Sequence, residues 1–198
     1  MLRVLRQEPA VEFVYADYWS QDEVTGKKEL VKVPDELKLD IKNEVGGCFL
    51  YTRKAYETLG DYNPNYEMVE DYDYWIRIWR RFAVRRCAGP LYLYRYHAQA
   101  LTATRKFNQD LFETILRFRN GYVSVSKLGW TAAYYFDNVK RSGKSEEEKR
   151  KLIRHTRETV AGLSLPFYIL FSFLASLYSF RISWRAFLKR AFSQGRRL

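Results

Sequence analysis

The chain has 198 residues, of which 17% are aromatic, and a formal net charge of +11. This length is sufficient for a packed core. The charge is unevenly distributed: residues 1–138 carry +1 (20 Lys and Arg against 19 Asp and Glu), whereas residues 139–198 carry +10 (14 against 4). This pattern excludes a uniformly basic protein and predicts an electrically ordinary folded part followed by a basic C-terminal region.

The two cysteines and the N-terminus both favour the cytosol. Cys48 and Cys87 lie in apolar, strand-like stretches without CxxC or Cys/His spacing, which argues against a zinc site and a disulfide framework. We expect them to be reduced packing residues. Residues 1–13 lack the apolar core and cleavage site of a secretory signal, so export is not expected.

Strand-like and helix-like patterns alternate over the first hundred residues. The strand-like runs are rich in β-branched and aromatic residues and are bounded by turn-forming residues. A small helix follows the third run and is expected to end at Gly60. Gly89-Pro90 separates the last two runs, which predicts two strands. The runs cover residues 11–18, 29–33, 48–51, 83–87 and 91–96.

Apolar side chains recur with helical spacing after the third strand-like run. Charged residues fall between them, so the pattern predicts an amphipathic helix with one buried aromatic face. The apolar positions are Tyr72, Trp75, Ile76, Trp79 and Phe82.

The C-terminal half is predicted to be helical over 107–158, with interruptions near Gly121 and at "RSGKS". Residues 159–180 follow, without a single charge, and basic residues come directly after them. About 20 apolar residues span a bilayer, but four serines, a glycine and Pro166 weaken that interpretation. A membrane span, an in-plane or re-entrant helix and a buried helix all remain open, and the basic flank argues against the last.

Three carboxylates, Glu70, Asp71 and Asp73, stand at the start of the predicted amphipathic helix. Asp71 and Asp73 form a DxD, but residues two apart on a helix point to different sides. We therefore do not expect Asp73 to bind a metal together with Asp71. Glu70 and Asp71 have two interpretations, an ordinary helix N-cap or an oriented, ionised general base. The local sequence does not separate them.

Three segments together resemble the second half of the catalytic domain of family 2 glycosyltransferases, which have the GT-A fold. In that family, a strand with an acidic end precedes a Gly-Gly strand, a Glu-Asp pair opens a helix, and a strand with Arg-x-His closes the site. The match covers about residues 5–105. The segments are "EFVYADYWSQDEVTGK", "VGGCFLYTRKAYETLGDYNPNYEMVEDYDYWIRIWRR" and "GPLYLYRYHAQALT".

The resemblance implies roles for five residues on the acceptor side. Asp71 is expected to be the catalytic base that deprotonates the acceptor hydroxyl, with Glu70 beside it. Gly46 and Gly47 would allow the backbone to approach a sugar closely. Trp75 would either form the floor of the acceptor pocket or pack in the core, and core packing is favoured because it lies on the apolar face.

The resemblance also implies a diphosphate side. Arg95 and His97 would face the leaving diphosphate, Arg95 by its charge and His97 as a hydrogen-bond donor or metal ligand. A divalent cation, Mg²⁺ or Mn²⁺, is expected, held mainly by a strand-end DxD that this chain lacks. The donor-binding half of the family is expected to precede Met1, so we do not expect the chain alone to be an independent transferase.

The predicted fold class is therefore α/β, a partial GT-A (Rossmann-like) domain lacking its N-terminal strands, with a helical C-terminal region. The expected organisation is a glycosyltransferase portion at 1–106, a helical extension at 107–158, and an apolar helix with a basic tail at 159–198.

The leading functional hypothesis is sugar transfer from a nucleotide-sugar donor to a saccharide or lipid-linked acceptor. It places the chain in surface polysaccharide or glycolipid synthesis at the cytoplasmic face of the membrane. The alternative is a non-catalytic module that docks to an anionic membrane or a partner through residues 139–198. Because no nucleic-acid motif accompanies the basic residues, no nucleic-acid partner is predicted.

Overall fold

The chain is a mixed α/β protein with four strands and seven helices among the residues that the structure describes. A computed structural model describes residues 1–100, 105–177 and 179. The strands are β1 (Val11–Asp22), β2 (Lys28–Val31), β3 (Phe49–Tyr51) and β4 (Ala83–Tyr96). The helices are α1 (Leu2–Gln7), α2 (Arg53–Leu59), α3 (Glu70–Arg81), α4 (Lys106–Arg119), α5 (Val125–Arg141), α6 (Glu146–Leu163) and α7 (165–177).

The helices and strands form two compact units. The first comprises Met1–Pro64 and Met68–Lys106, and contains the whole sheet and helices α1 to α3. The second comprises Asn65–Glu67 and Phe107–Leu198, and its described part consists mainly of helices α4 to α7.

Strand β1 lies at the centre of a mixed sheet. It pairs in parallel with β4 along one edge, and β2 and β3 pair with it antiparallel along the other. Its first seven residues, 11–17, are all buried. The helices predicted before Gly60 and from residue 72 are confirmed as α2 and α3, and Gly60 ends α2 with φ of 72°. Cys48 and Cys87 are free thiols in the core cluster around β1, which confirms their packing role.

The prediction of two strands at 83–87 and 91–96 is wrong, because both belong to the single strand β4. The register slips where Ala16 pairs with Cys87 and Asp17 with Pro90, so β4 bulges at Gly89-Pro90. Gly89 adopts φ of 83°, which few residues other than glycine tolerate. A bulge accommodates a proline without a ladder donor, so this pair bends the strand without ending it.

A buried ion pair attaches the loop after β2 to the sheet. Asp17, which is 4% exposed, accepts hydrogen bonds from Arg86 Nη2 (2.6 Å) and from the Val33 backbone N–H (2.9 Å). Arg86 also bonds the exposed Asp35 through Nη1 (2.9 Å). The hydrogen bond from Arg86 lowers the pKa of Asp17 against the opposing effect of burial. The acidic strand residue is therefore a structural anchor.

The predicted interruptions of the second unit's helices occur at capped boundaries. Gly121, with φ of 79°, follows the end of α4. The Ser124 hydroxyl caps α5 by accepting from Lys127 N (3.3 Å). Ser145 and Glu148 form a reciprocal capping box at the start of α6. The "RSGKS" segment thus ends one helix and begins the next.

The uncharged run 159–180 does not form one helix in the described structure. Residues 159–163 are the last turn of α6, and Ser164 is extended (φ 178°, ψ 134°). Ser164 then caps α7, accepting from Phe167 N (3.4 Å), and Pro166 occupies the first turn, where its missing N–H has no helical partner to lose. Among the described residues, no helix combines the length and apolar character needed to cross a membrane.

The Asp17–Arg86 anchor predicts a pH-dependent stability. Replacing Asp17 by Asn should lower the free energy of unfolding by about 1.5–3 kcal/mol at pH 7, measured by urea denaturation, because it removes the charge from the hydrogen bonds of a buried pair. The folded-state pKa of Asp17 is lowered, so its contribution is present above the unfolded pKa of about 4 and disappears as the pH falls through the folded value. The matched control is Asp35→Asn, which removes the exposed partner of the same guanidinium and should have little effect. Equal losses for both variants would contradict this assignment.

Candidate functional site

The carboxylate cluster occupies the first turn of α3, but no acidic residue is its N-cap. The N-cap is Val69, which offers no side-chain acceptor, and Glu70 and Asp71 are the first two helical residues. Met68, just before them, has φ of 70°, a conformation that costs energy for a residue other than glycine. The simple N-cap interpretation is therefore wrong, and a strained turn leads into the acidic pair.

Asp71 is partly buried and held in one orientation, whereas Glu70 is exposed. Asp71 Oδ1 accepts a hydrogen bond from the Tyr72 backbone N–H (2.6 Å). Burial raises the pKa of Asp71, and the neighbouring charge of Glu70 adds to this, while the backbone N–H and the Asn43 side chain oppose it. The helix start was expected to favour the ionised form of this carboxylate, but the pKa of Asp71 is raised and not lowered, because desolvation outweighs the backbone donors.

Two residues distant in sequence complete the surroundings of Asp71. The Asn43 side chain acts on the carboxylate by lowering its pKa, and its own carbonyl oxygen, Oδ1, is buried without a hydrogen-bond partner among the described residues. Burial raises the pKa of Tyr62, and the charge of Asp71 is among the smaller causes of that shift. The surroundings of Asp71 therefore include an amide and a phenol from outside α3.

Asp73, the second acid of the DxD, points to a different partner. It is 9% exposed and forms an ion pair with Arg77 Nε (2.9 Å). Arg77 also donates to the Leu59 carbonyl oxygen (2.8 Å) and the Asp61 carbonyl oxygen (3.0 Å). Asp73 therefore helps to hold the C-terminal end of α2 against α3.

Gly46 and Gly47 are packed against tyrosine rings of the central sheet. A Cβ atom on Gly46 would overlap the Tyr18 ring, and one on Gly47 would lie 3.1 Å from Cε1 of Tyr92. Tyr18 and Tyr92 are themselves paired across β1 and β4. In this structure, the close approach that needs glycine is to protein side chains, and an approach to a sugar remains a prediction.

Trp75 is a core residue of the first unit. It is 1% exposed, and its ring centroid lies 4.3 Å from that of Phe49 and 4.9 Å from that of Phe13. Its indole N–H has no hydrogen-bond partner among the described residues. This arrangement matches the core-packing alternative. A floor for an acceptor pocket would have to be formed by its neighbours on the solvent side.

Arg95 and His97 lie at the C-terminal end of β4, and both are exposed. Arg95 pairs with Gln21 of β1, and the His97 carbonyl oxygen accepts from Ala100 N (2.9 Å). Within the described part of the chain, no group of three or more His, Cys, Asp or Glu could hold a metal ion. A single exposed imidazole does not make a metal site, so we assign no chemical step to a metal, and the divalent cation remains a prediction.

The loop between β2 and β3 reaches both the surroundings of Asp71 and the central sheet. The segment before β3 contacts the start of α3 through Asn43 and through the Leu39 carbonyl oxygen, which accepts from the Tyr72 hydroxyl (2.5 Å). A few residues later, its glycine pair contacts β1 and β4. Among the described residues, no hydrogen bond or ion pair joins Asp71 to Arg95 or His97. Asn43 and Tyr62 were missed from the sequence, where both appear as ordinary loop residues.

Comparisons with known proteins add no relative. No protein-family model matches the chain, and no curated protein is significantly similar to it.

The glycine pair predicts a difference between two otherwise similar substitutions. Gly46→Ala should lower the free energy of unfolding by roughly 1–3 kcal/mol, because the new methyl group overlaps the Tyr18 ring. Gly47→Ala, the matched control, should cost less, since the exposed Tyr92 ring can move. In a Tyr18→Ala background the Gly46→Ala penalty should largely disappear, and a penalty that persists there would show another cause.

The raised pKa of Asp71 predicts that removal of its negative charge stabilises the fold. The folded-state pKa lies above the unfolded value of about 4, so stability falls as the pH rises through the interval between them. Asp71→Asn should therefore be more stable than the wild type at pH 7, and the difference should vanish below about pH 4. Glu57→Gln, at an exposed position of α2, serves as the control. A loss of stability in Asp71→Asn at pH 7 would contradict the desolvation argument.

Proposed function

We propose that the chain forms the acceptor-side part of a family 2-type glycosyltransferase with a partial GT-A fold. The observation that carries this proposal is Asp71, a partly buried carboxylate in the first turn of α3 whose pKa is raised by burial. A base of raised pKa binds a proton more firmly than an ordinary carboxylate, and such a base suits removal of a proton from a hydroxyl group near neutral pH.

The proposed reaction has one proton transfer and one substitution. Asp71 accepts the proton of the acceptor hydroxyl while the hydroxyl oxygen attacks the anomeric carbon of the donor sugar. The bond to the nucleoside diphosphate breaks, and the diphosphate leaves with the electron pair. A single base without a covalent intermediate implies inversion at the anomeric carbon.

Residues around Asp71 have positioning roles in this proposal. The Tyr72 N–H fixes one carboxylate oxygen. Glu70 raises the pKa of Asp71 by its charge. Arg95 and His97 are proposed to meet the leaving diphosphate by charge and by hydrogen bonding.

The remaining parts of the proposal come from the resemblance. The partners are a nucleotide-sugar donor and a saccharide or lipid-linked acceptor, in surface polysaccharide or glycolipid synthesis at the cytoplasmic face of the membrane. A Mg²⁺ or Mn²⁺ ion is the proposed cofactor, and this chain lacks the strand-end DxD motif that mainly holds it in the family.

The test is release of nucleoside diphosphate from a panel of UDP-, GDP- and dTDP-sugars by the chain, expressed with any coding sequence that precedes Met1 in frame. Asp71→Asn should reduce turnover roughly 10²–10⁴-fold with KM for the donor nearly unchanged, because the base acts in the chemical step. Glu57→Gln should retain wild-type turnover. Near wild-type turnover in Asp71→Asn, or release from no donor, would contradict the proposal.

A further inference from the structure

Helix α7 carries no charged residue and has two distinct faces. One face is buried in the second unit, where the Phe167 ring stacks on Phe118 (5.9 Å between centroids) and Phe171 lies 6.0 Å from Phe136. The other face is exposed although it is almost entirely apolar. Its large side chains are Leu165 (64% exposed), Ile169 (62%), Phe173 (62%), Leu177 (39%) and Leu170 (37%).

This exposed face is a continuous stripe. Leu165, Ile169, Phe173 and Leu177 follow one another at four-residue intervals, which places them on the same side of the helix. We call these four residues and Leu170 the apolar stripe. A row of large apolar side chains left in water is unfavourable, and such rows mark surfaces that are covered in use.

A basic cleft borders the apolar stripe. Its volume is about 180 Å³, and Lys140 and Arg157 line it together with three serines of the 172–179 region. Among the described residues, no acidic side chain forms an ion pair with Lys140 or Arg157; Arg157 lies over the Phe136 ring, 6.0 Å from its centroid. Two cations and several hydroxyl groups are a favourable set of ligands for a phosphate group.

The charge of the flanking sequence has the same sign as the cleft. Residues 159–198 contain no acidic residue. Six basic residues follow the uncharged run, and each can add to binding at an anionic surface. They are Arg181, Arg185, Lys189, Arg190, Arg196 and Arg197.

We propose that α7 docks in the plane of an anionic phospholipid bilayer, with the apolar stripe inserted at the boundary between headgroups and acyl chains. The basic cleft holds the phosphate of a lipid headgroup. Among the described residues no helix combines the length and apolar character needed to cross a bilayer, and the exposed apolar stripe covers one side of α7, so we place the helix along the surface. The inference does not depend on glycosyl transfer, because it concerns only the attachment of the chain to a membrane surface.

The experiment is flotation of the purified full chain with vesicles of phosphatidylcholine, with and without phosphatidylglycerol. The wild type should float with the anionic vesicles and stay behind with the neutral ones. Ile169→Gln/Phe173→Gln should weaken binding roughly tenfold or more by removing inserted apolar surface. Lys140→Gln/Arg157→Gln should weaken binding to anionic vesicles by a similar factor.

Matched controls separate these effects from general changes in polarity and charge. Val24→Gln changes a side chain that is 87% exposed elsewhere, and Lys28→Gln/Arg53→Gln removes two exposed cations of the first unit. Both controls should bind as the wild type does. Because all substituted stripe positions are exposed, thermal unfolding of the stripe variant should match the wild type.

Three results would overturn the inference. The first is vesicle binding that does not differ between wild type and the stripe variant, since charge alone would then suffice. The second is a titration in which inorganic phosphate fills the cleft while the wild type fails to float. The third is a dimer in sedimentation that the stripe variant dissociates, without vesicle binding, which would assign the stripe to a second copy of the chain.

Discussion

Strand β1 is the element on which the first unit depends, because it pairs with all three other strands and its polar side chains fix the loops. Glu12 accepts hydrogen bonds from Thr52, the N-cap of α2, and from Lys54 (2.6 Å). Asp17 anchors the loop after β2 through Val33, and Tyr18 packs against Gly46. The loop that carries Asn43 towards Asp71 is thus tied to one strand at both ends, through Val33 and Gly46, which is a favourable way to position a site.

Desolvation and hydrogen bonding have opposite effects on the pKa of a buried acid, and the balance between them differs for Asp17 and Asp71. Asp17 is buried, but two donors from Arg86 and one from Val33 outweigh the desolvation, so its pKa is lowered. Asp71 has fewer donors and a like charge beside it, so desolvation prevails and its pKa is raised. The ionised Asp17 therefore contributes to stability at neutral pH, whereas the ionised Asp71 opposes it.

Elements with a strong local pattern could be predicted from the sequence, and features set by distant contacts could not. The spacing from Tyr72 to Phe82 defines α3, and Gly60 marks the end of α2. The Gly89-Pro90 pair suggested a turn between two strands. In the structure this pair forms a bulge because β4 pairs with β1 on both sides of it, and that pairing cannot be read from the local sequence. The uncharged run at 159–180 gave no sign that one helix ends and another begins at Ser164. Nothing in the sequence linked Asn43 to Asp71.

The central claim is that burial raises the pKa of Asp71 above the ordinary value for an aspartate. The most direct measurement is an NMR titration of its side-chain carboxyl carbon, assigned by comparison with Asp71→Asn. The account predicts a pKa above the ordinary value of about 4 for an aspartate, and a further rise in an Asn43→Ala variant, which removes a hydrogen bond to the charged form. A pKa at or below the ordinary value, unchanged in that variant, would contradict it.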